Sequence, residues 1–121
     1  MATTKELIDQ INQIFKENKM EEFINFLSDD IVWEMYSSSS GHTTHRGKDE
    51  ISKMDGGENM PLQMNFQFGT IIIDGDQAAV ECTSSGETPN GKSYSGTSCD
   101  IYHFLNDKIV KMTSYVIDNI K

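Results

Sequence analysis

Two carboxylates in the C-terminal part of the chain stand where acid–base chemistry would need them, Glu81 and Asp100, and a third, Asp118, closes the last strand-like run. Glu81 and Asp100 lie in strand-like runs on either side of Asn90-Gly91. That dipeptide favours a two-residue type I′ turn, because both central residues must accept a positive φ. With such a turn Asp100 faces Glu81 across the ladder, and Cys99 faces Cys82. Two carboxylates side by side on one sheet face share a proton, stay solvated or meet a ligand. A sharing pair titrates as a unit. One member then stays protonated near neutrality and donates a hydrogen bond, while the other abstracts a proton from a carbon beside a carbonyl. The alternative is a one-residue bulge that turns Glu81 to solvent. Asp118 ends the last strand with the parity of Met112, Ser114 and Val116. Read from the residues alone it is a strand-terminal Asp that hydrogen-bonds to backbone.

Trp33 and Met35 alternate on one side of an earlier strand. With Tyr102, Met112, Ser114 and Val116 they form a mostly apolar wall carrying a few hydrogen-bonding groups, as a small or flat apolar ligand would need. The plain alternative is that they fill the core. The polar ends of Trp33 and Tyr102, which want partners when buried, favour a site. His42, His45 and His103 have no carboxylate spaced to complete a metal set. His45-Arg46 reads as part of a loop that closes over the pocket. The two cysteines lack metal-ligand spacing and read as small, buried, reduced thiols. Neither a Gly-rich phosphate loop nor a GxSxG elbow is present. No metal and no cofactor is expected.

The elements that must position these residues follow from pattern. Thr3 and Glu6 make a capping box for a helix over 3–17, whose stripe is Leu7, Ile8, Ile11, Ile14 and Phe15. Asn18 with Glu21 reads as the cap of a second, short helix. Ile31–Tyr36 reads as a strand, 37–44 as a Ser/Gly/Thr/His loop, and Gly47 opens a third helix that Gly56-Gly57 must end. Strands follow over 64–73, 77–85, 92–104 and 109–117, an antiparallel meander. The fold class is α+β, three N-terminal helices packed on a curved antiparallel sheet. The 121 residues form one domain, 1–121, without repeats or linkers. A net charge of −9 disfavours nucleic acid and anionic membranes. With no apolar leader and no span of 18 apolar residues, the expected location is the cytoplasm.

Three segments together resemble a known family: Ser28-Asp29-Asp30-Ile31-Val32-Trp33-Glu34, then His45-Arg46-Gly47-Lys48-Asp49-Glu50-Ile51, then Asp100-Ile-Tyr-His-Phe through Lys108-Ile-Val-Lys-Met to Tyr115-Val-Ile-Asp118. In this order, over nearly the whole chain, they resemble the nuclear transport factor 2-like superfamily. The branch they are most similar to is that of SnoaL-like polyketide cyclases and ketosteroid isomerase relatives. The resemblance implies a cone-shaped fold with a deep apolar pocket between the first helix and a bent sheet. It also implies a homodimer through the outer sheet face. Apolar groups on both sheet faces support that pairing independently, since three helices cannot cover both.

The resemblance places Asp100 at the acid that the isomerases keep protonated. It places Ile11 where they carry a Tyr and Met35 where they carry the base, so isomerase chemistry in its known form is not expected. SnoaL-like cyclases carry a basic acid near the position of Asp118. Epoxide-hydrolase relatives use an Asp-Arg-Asp triad with a strand-borne Arg; Arg46, the only arginine, precedes the third helix and does not suit it. The fold hosts many activities. The sequence therefore supports a small-molecule-binding protein of unassigned specificity. The alternatives are a cofactor-free isomerase or cyclase acting on a small apolar carbonyl compound, and a non-catalytic dimerisation or protein-interaction module. Whether a reaction is catalysed is left open at this level.

Overall fold

A computed structural model describes residues 2–53, 64–89 and 91–120. The first helix, α1, spans Thr4–Lys16. The Thr3 hydroxyl accepts from the Glu6 amide, and the Glu6 carboxylate reaches back to the Thr3 amide, so the expected capping box forms. Leu7, Ile8 and Ile11 are buried, and Ile14 and Phe15 pack at the edge of the same core. Asn18 does not cap a second helix. It takes a left-handed φ of 57°. Its amide and that of Lys19 return to the carbonyls of Phe15 and Ile14, a Schellman closure of α1. Its side chain then bridges to Met64, accepting from the amide at 2.8 Å and donating to the carbonyl at 3.1 Å. The short α2 (Met20–Phe23) starts without a side-chain cap and runs into a 3-10 turn, Ile24–Phe26.

Six strands form one sheet: β1 (Leu27–Ser37), β2 (Gly41–Arg46), β3 (Met64–Asp74), β4 (Gln77–Glu87), β5 (Ser93–Leu105) and β6 (Lys108–Ile120), in the order β2-β1-β6-β5-β4-β3. From β3 to β6 the strands run as the expected antiparallel meander. Two features differ from the sequence reading. β1 lies parallel to β6, so the sheet is mixed. The segment read as a polar loop contains β2, an edge strand paired with β1 from Val32↔Arg46 to Ser37↔Gly41. Thr43 and Thr44 suit a strand, but a run of only six residues with Gly and two His gives a weak signal, and the open edge of β1 decides it. His45-Arg46 thus belongs to a strand rather than to a closing loop. A third helix, α3 (Lys48–Ser52), follows. Its expected stop at Gly56-Gly57 lies outside the described residues.

The β4–β5 connection changes the central expectation. The Gly91 amide donates to the Thr88 carbonyl at 2.9 Å, and the Thr88 amide to the Lys92 carbonyl at 2.8 Å. Three residues, not two, therefore separate the last pair, with Pro89 at the second position of the turn and Gly91 left-handed at φ 83°. Proline's fixed φ suits that second position, and a left-handed glycine completes a three-residue hairpin loop. The register moves by one: Val80↔Asp100, Glu81↔Cys99, Cys82↔Ser98. A slip of one residue exchanges the faces of a strand. Glu81 therefore lies on the opposite face from Asp100, and Cys82 on the opposite face from Cys99. The two-residue loop with both residues left-handed occurs instead at Asn106-Asp107, with φ of 52° and 64°.

One sheet face is covered. Phe15 of α1 stacks obliquely on Phe23 (5.1 Å) and on Phe66 of β3 (5.5 Å), and Phe23 meets Trp33 of β1 edge-on at 6.3 Å. Under this arch Val80, Tyr102 and Met112 are almost fully buried. β3 shifts register between Phe68 and Ile71, beside Glu81. The other face is open, with Tyr115 48 % and Ile117 70 % exposed.

Candidate functional site

Asp100 sits on the covered face at the middle of β5. Its neighbour across β4 is Val80, and across β6 it is Ser114, which is itself paired with Met35 of β1. Strand alternation adds Tyr102 and Met112, one step along, and Trp33 diagonally. The carboxyl is thus set in an apolar wall with one polar partner beside it. That partner is Ser114, only 2 % exposed and paired with Asp100 across the ladder, whose hydroxyl opposes the rise in the Asp100 pKa. The Trp33 indole Nε1–H donates to the Ser114 Oγ at 2.9 Å. That bond ties β1 to β6 beside Asp100.

Burial raises the Asp100 carboxyl to about 6, against the opposing effect of the Ser114 hydrogen bond. Loss of hydration penalises the charged form, while a donor to the carboxylate favours it. Three other titratable groups feel Asp100, and one of them, Cys99 on the opposite face, is raised first by burial, then by the Asp100 and Glu81 charges. Cys82 is pushed up to about 11, chiefly by burial and secondly by the Asp100 charge. The buried Tyr102 phenol is raised for the same two reasons, in the same order. Both stay neutral at physiological pH, so Asp100 titrates without a charged partner among them. The pairing with Glu81 is absent: Glu81 is exposed on the open face, its carboxylate lying over Gly69, where an added Cβ would approach Oε1 to 2.7 Å.

Asp118 lies at the far end of β6 and is occupied. Its carboxylate accepts from the hydroxyls of Ser39 (2.8 Å), Ser38 (3.0 Å) and Ser37 (3.4 Å), and its amide donates to Ser38 Oγ at 3.0 Å. Burial alone would raise its pKa. The bonds from Ser39, Ser38, its own amide and Ser37 outweigh that and hold it below the usual carboxylate range. A carboxylate held ionised by this many donors is a weak base. Its role in the fold is to clamp the serine turn between β1 and β2 to the end of β6, through serine hydroxyls rather than the backbone partners expected from sequence.

The wall residues expected from sequence come together. Tyr102, Met112 and Ser114 are buried, and Trp33, Met35 and Val116 are half-buried on the same face as Asp100. One contributor was not singled out from sequence, the donor–acceptor link from Trp33 to Ser114. Elsewhere in the core, Asn12 on α1 is 7 % exposed and its side-chain oxygen has no hydrogen-bond partner among the described residues. Its signal was visible as a polar residue inside the stripe between Ile8 and Phe15. No group of three or more His, Cys, Asp or Glu side chains among the described residues is placed to hold a metal ion.

The open face carries its own row. His42 stacks on Tyr36 at 4.3 Å and Tyr36 on Tyr115 at 5.2 Å, with Cys99 and Glu81 continuing the line across β5 and β4. His42 also approaches the Glu34 carboxylate at 3.5 Å. A groove of ≈ 510 Å³ runs here, lined by Tyr36, Glu81, Cys99, Tyr115 and Ile117 among others. The end residue of β2, Arg46, pairs with Val32, one row beyond Glu34 on this face, so it is not beside Asp100.

This six-stranded mixed sheet with its N-terminal helices is the NTF2-like fold. A SnoaL-like domain model matches residues 8–112, and the chain belongs to the SnoaL-like family. Solved structures agree on the fold. An NTF2-like protein from Anabaena variabilis superposes with a TM-score of 0.78 at 16% identity, covering 93% of this chain and 88% of that one. An LEH-like epoxide hydrolase from M. tuberculosis gives 0.72 at 15% identity, covering 93% and 81%. A proposed ketosteroid isomerase from Kribbella flavida gives 0.69 at 14% identity, covering 93% and 76%. No curated protein matches the chain.

Proposed function

We propose that this SnoaL-like protein binds a small, largely apolar molecule between its N-terminal helices and the covered sheet face, with Asp100 as the polar anchor. The observation that carries the reading is a carboxyl set among Val80, Tyr102 and Met112 on a face where Trp33, Met35 and Val116 stay partly accessible. An apolar wall with few polar groups is the usual make-up of a small-molecule site. The elevated pKa favours a second reading on the same site: cofactor-free proton transfer in an isomerase or cyclase, with Asp100 alone as the titrating group. Carboxyl NMR tests both. Asp100 is expected to titrate near 6, apart from the other acids, and to shift when a library of small ketones and aromatics is added. If every carboxyl titrates below about pH 5, near unperturbed values, the proton-transfer reading is lost. If no compound moves Asp100 or the Trp33 indole, the binding reading is lost.

The open face supports a homodimer. Tyr36, Tyr115, Ile117 and Ile72 are exposed there, at 38 %, 48 %, 70 % and 63 %, and contiguous apolar surface of this kind marks association sites. Sedimentation velocity of the purified chain is expected to show a dimer. A monomer at all concentrations would refute it. No helix among the described residues is long and apolar enough to cross a membrane. The reading keeps the protein in the cytoplasm.

A further inference from the structure

The uncovered sheet face carries one transverse row that differs from end to end. His42 of β2, Tyr36 of β1, Tyr115 of β6, Cys99 of β5 and Glu81 of β4 are cross-strand neighbours in that order. The first three rings stack, His42 on Tyr36 at 4.3 Å and Tyr36 on Tyr115 at 5.2 Å, and stand as a ridge. Cys99 is small, so the ridge drops at β5 to the floor of the ≈ 510 Å³ groove, and Glu81 closes its far side. The row thus has an imidazole and two phenols at one end and a carboxylate at the other. Among the described residues neither the Tyr36 hydroxyl nor the Glu81 carboxylate has a hydrogen-bond partner.

Sheets packed face to face keep their strands nearly aligned, which leaves two choices for a two-fold axis between identical sheets. An axis across the strands sets every strand on its own copy. Ridge then meets ridge, and the groove floors face each other unfilled. An axis parallel to the strands reverses the row. Passing through the middle of the order β2-β1-β6-β5-β4-β3, it sets β6 on the partner's β5 and β1 on the partner's β4. Ridge then meets groove twice, since a two-fold contact is isologous. We infer, on the homodimer reading above, that the two copies pack with reversed rows: the Tyr115 ring fills the partner's groove over Cys99, and the Tyr36 hydroxyl donates to the partner's Glu81. Electrostatics favour the same choice. A carboxylate taken out of water without a donor is strongly unfavourable. The transverse axis returns Glu81 to the partner's β4, whose member of the row is another Glu81. Reversal gives each Glu81 a phenolic donor and the imidazole end of the partner's row. The rings are already ordered by stacking, so little side-chain freedom is lost on association.

Sedimentation equilibrium on the intact chain and its variants tests the orientation. Tyr36→Phe should raise the dimer dissociation constant about a hundredfold, since two carboxylates per dimer lose their donor. Glu81→Ala alone should raise it about tenfold. Adding Glu81→Ala to Tyr36→Phe should recover about tenfold of the loss, because the stranded charge is gone. A dimer that Glu81→Ala tightens, or one indifferent to Tyr36→Phe, overturns the reversed rows and leaves the homodimer standing. A wild type that stays monomeric at all concentrations overturns both. The Asp100 midpoint should be the same in wild type and variants, which separates a lost contact from a lost fold. A direct readout needs no variant. Within one chain Tyr36 and Glu81 lie three strands apart, about 14 Å. In a mixture of isotope-labelled and unlabelled chain, a filtered NOE from the Tyr36 ring to the Glu81 side chain is expected, and its absence from a dimer overturns the orientation.

Discussion

Asp100 and Glu81 stand on adjacent strands, one residue out of register, and the two faces of the sheet give them different surroundings. Asp100 lies under the helices beside Val80 and Ser114, where lost hydration lifts its pKa and an indole-oriented hydroxyl restrains the rise. Glu81 lies on the uncovered face, in a row with Cys99 and Tyr115, exposed to water. The same residue class becomes a candidate reacting group on one face and a surface charge on the other. What separates them is alternation along the strand together with the presence of helices on one side only.

The comparison breaks most visibly at the tyrosines. Tyr102 is 1 % exposed and Tyr115 is 48 % exposed. Tyr102→Ala is expected to cost about 3–5 kcal/mol in urea denaturation, as for other buried aromatics, and Tyr115→Ala less than about 1 kcal/mol in the monomer. Similar losses would mean that both faces are buried in the functional state.

Next in size is the pH dependence of stability. The Asp100 pKa is about 6 when folded and near 3.9 when unfolded. Between those values the folded state binds the extra proton, so stability falls as pH rises from about 4 to about 6 and is level above. The two-unit gap corresponds to about 3 kcal/mol. Asp100→Asn should abolish the slope and raise stability at pH 7. A slope that survives Asp100→Asn would refute the assignment.

Asp118 carries the opposite sign. Its pKa is lowered on folding, so its contribution is present above about pH 4 and fades as pH falls through the folded value. Asp118→Ala should cost on the order of 1 kcal/mol and speed amide exchange at Ser38 and Ser39. Unchanged exchange there would remove its role as a clamp. The smallest effect on stability is expected from Ile117→Lys, within about 0.5 kcal/mol for an exposed side chain. Its readout is association: the variant should sediment as a monomer, and persistence of a dimer would place the interface elsewhere.

Much of the fold could be read directly. The Thr3–Glu6 box and the stripe from Leu7 to Phe15 define α1 because both signals are local. The meander from β3 to β6 was legible from strand runs and turn residues. Asn18 was misassigned because the same residue type caps a helix start and closes a helix end, and only the course of the chain after Lys16 decides between them. β2 was missed because Gly41, the two His and Arg46 around Thr43-Thr44 form a strand only against the free edge of β1.

The site divides in the same way. That Asp100, Ser114, Trp33, Met35 and Met112 share a face followed from parity alone, since alternation is built into any strand. Whether Glu81 joined them depended on a single residue in the Thr88–Lys92 connection. There Pro89 drew the turn one place toward the N-terminus, and a one-place shift exchanges the faces of a whole strand. The sequence by itself determined which residues alternate and where the helices begin. Only the tertiary structure decided which carboxylate lost its water and which donor reached it, because hydration and hydrogen-bond order depend on neighbours that come from β1, β4 and β6, far apart along the chain.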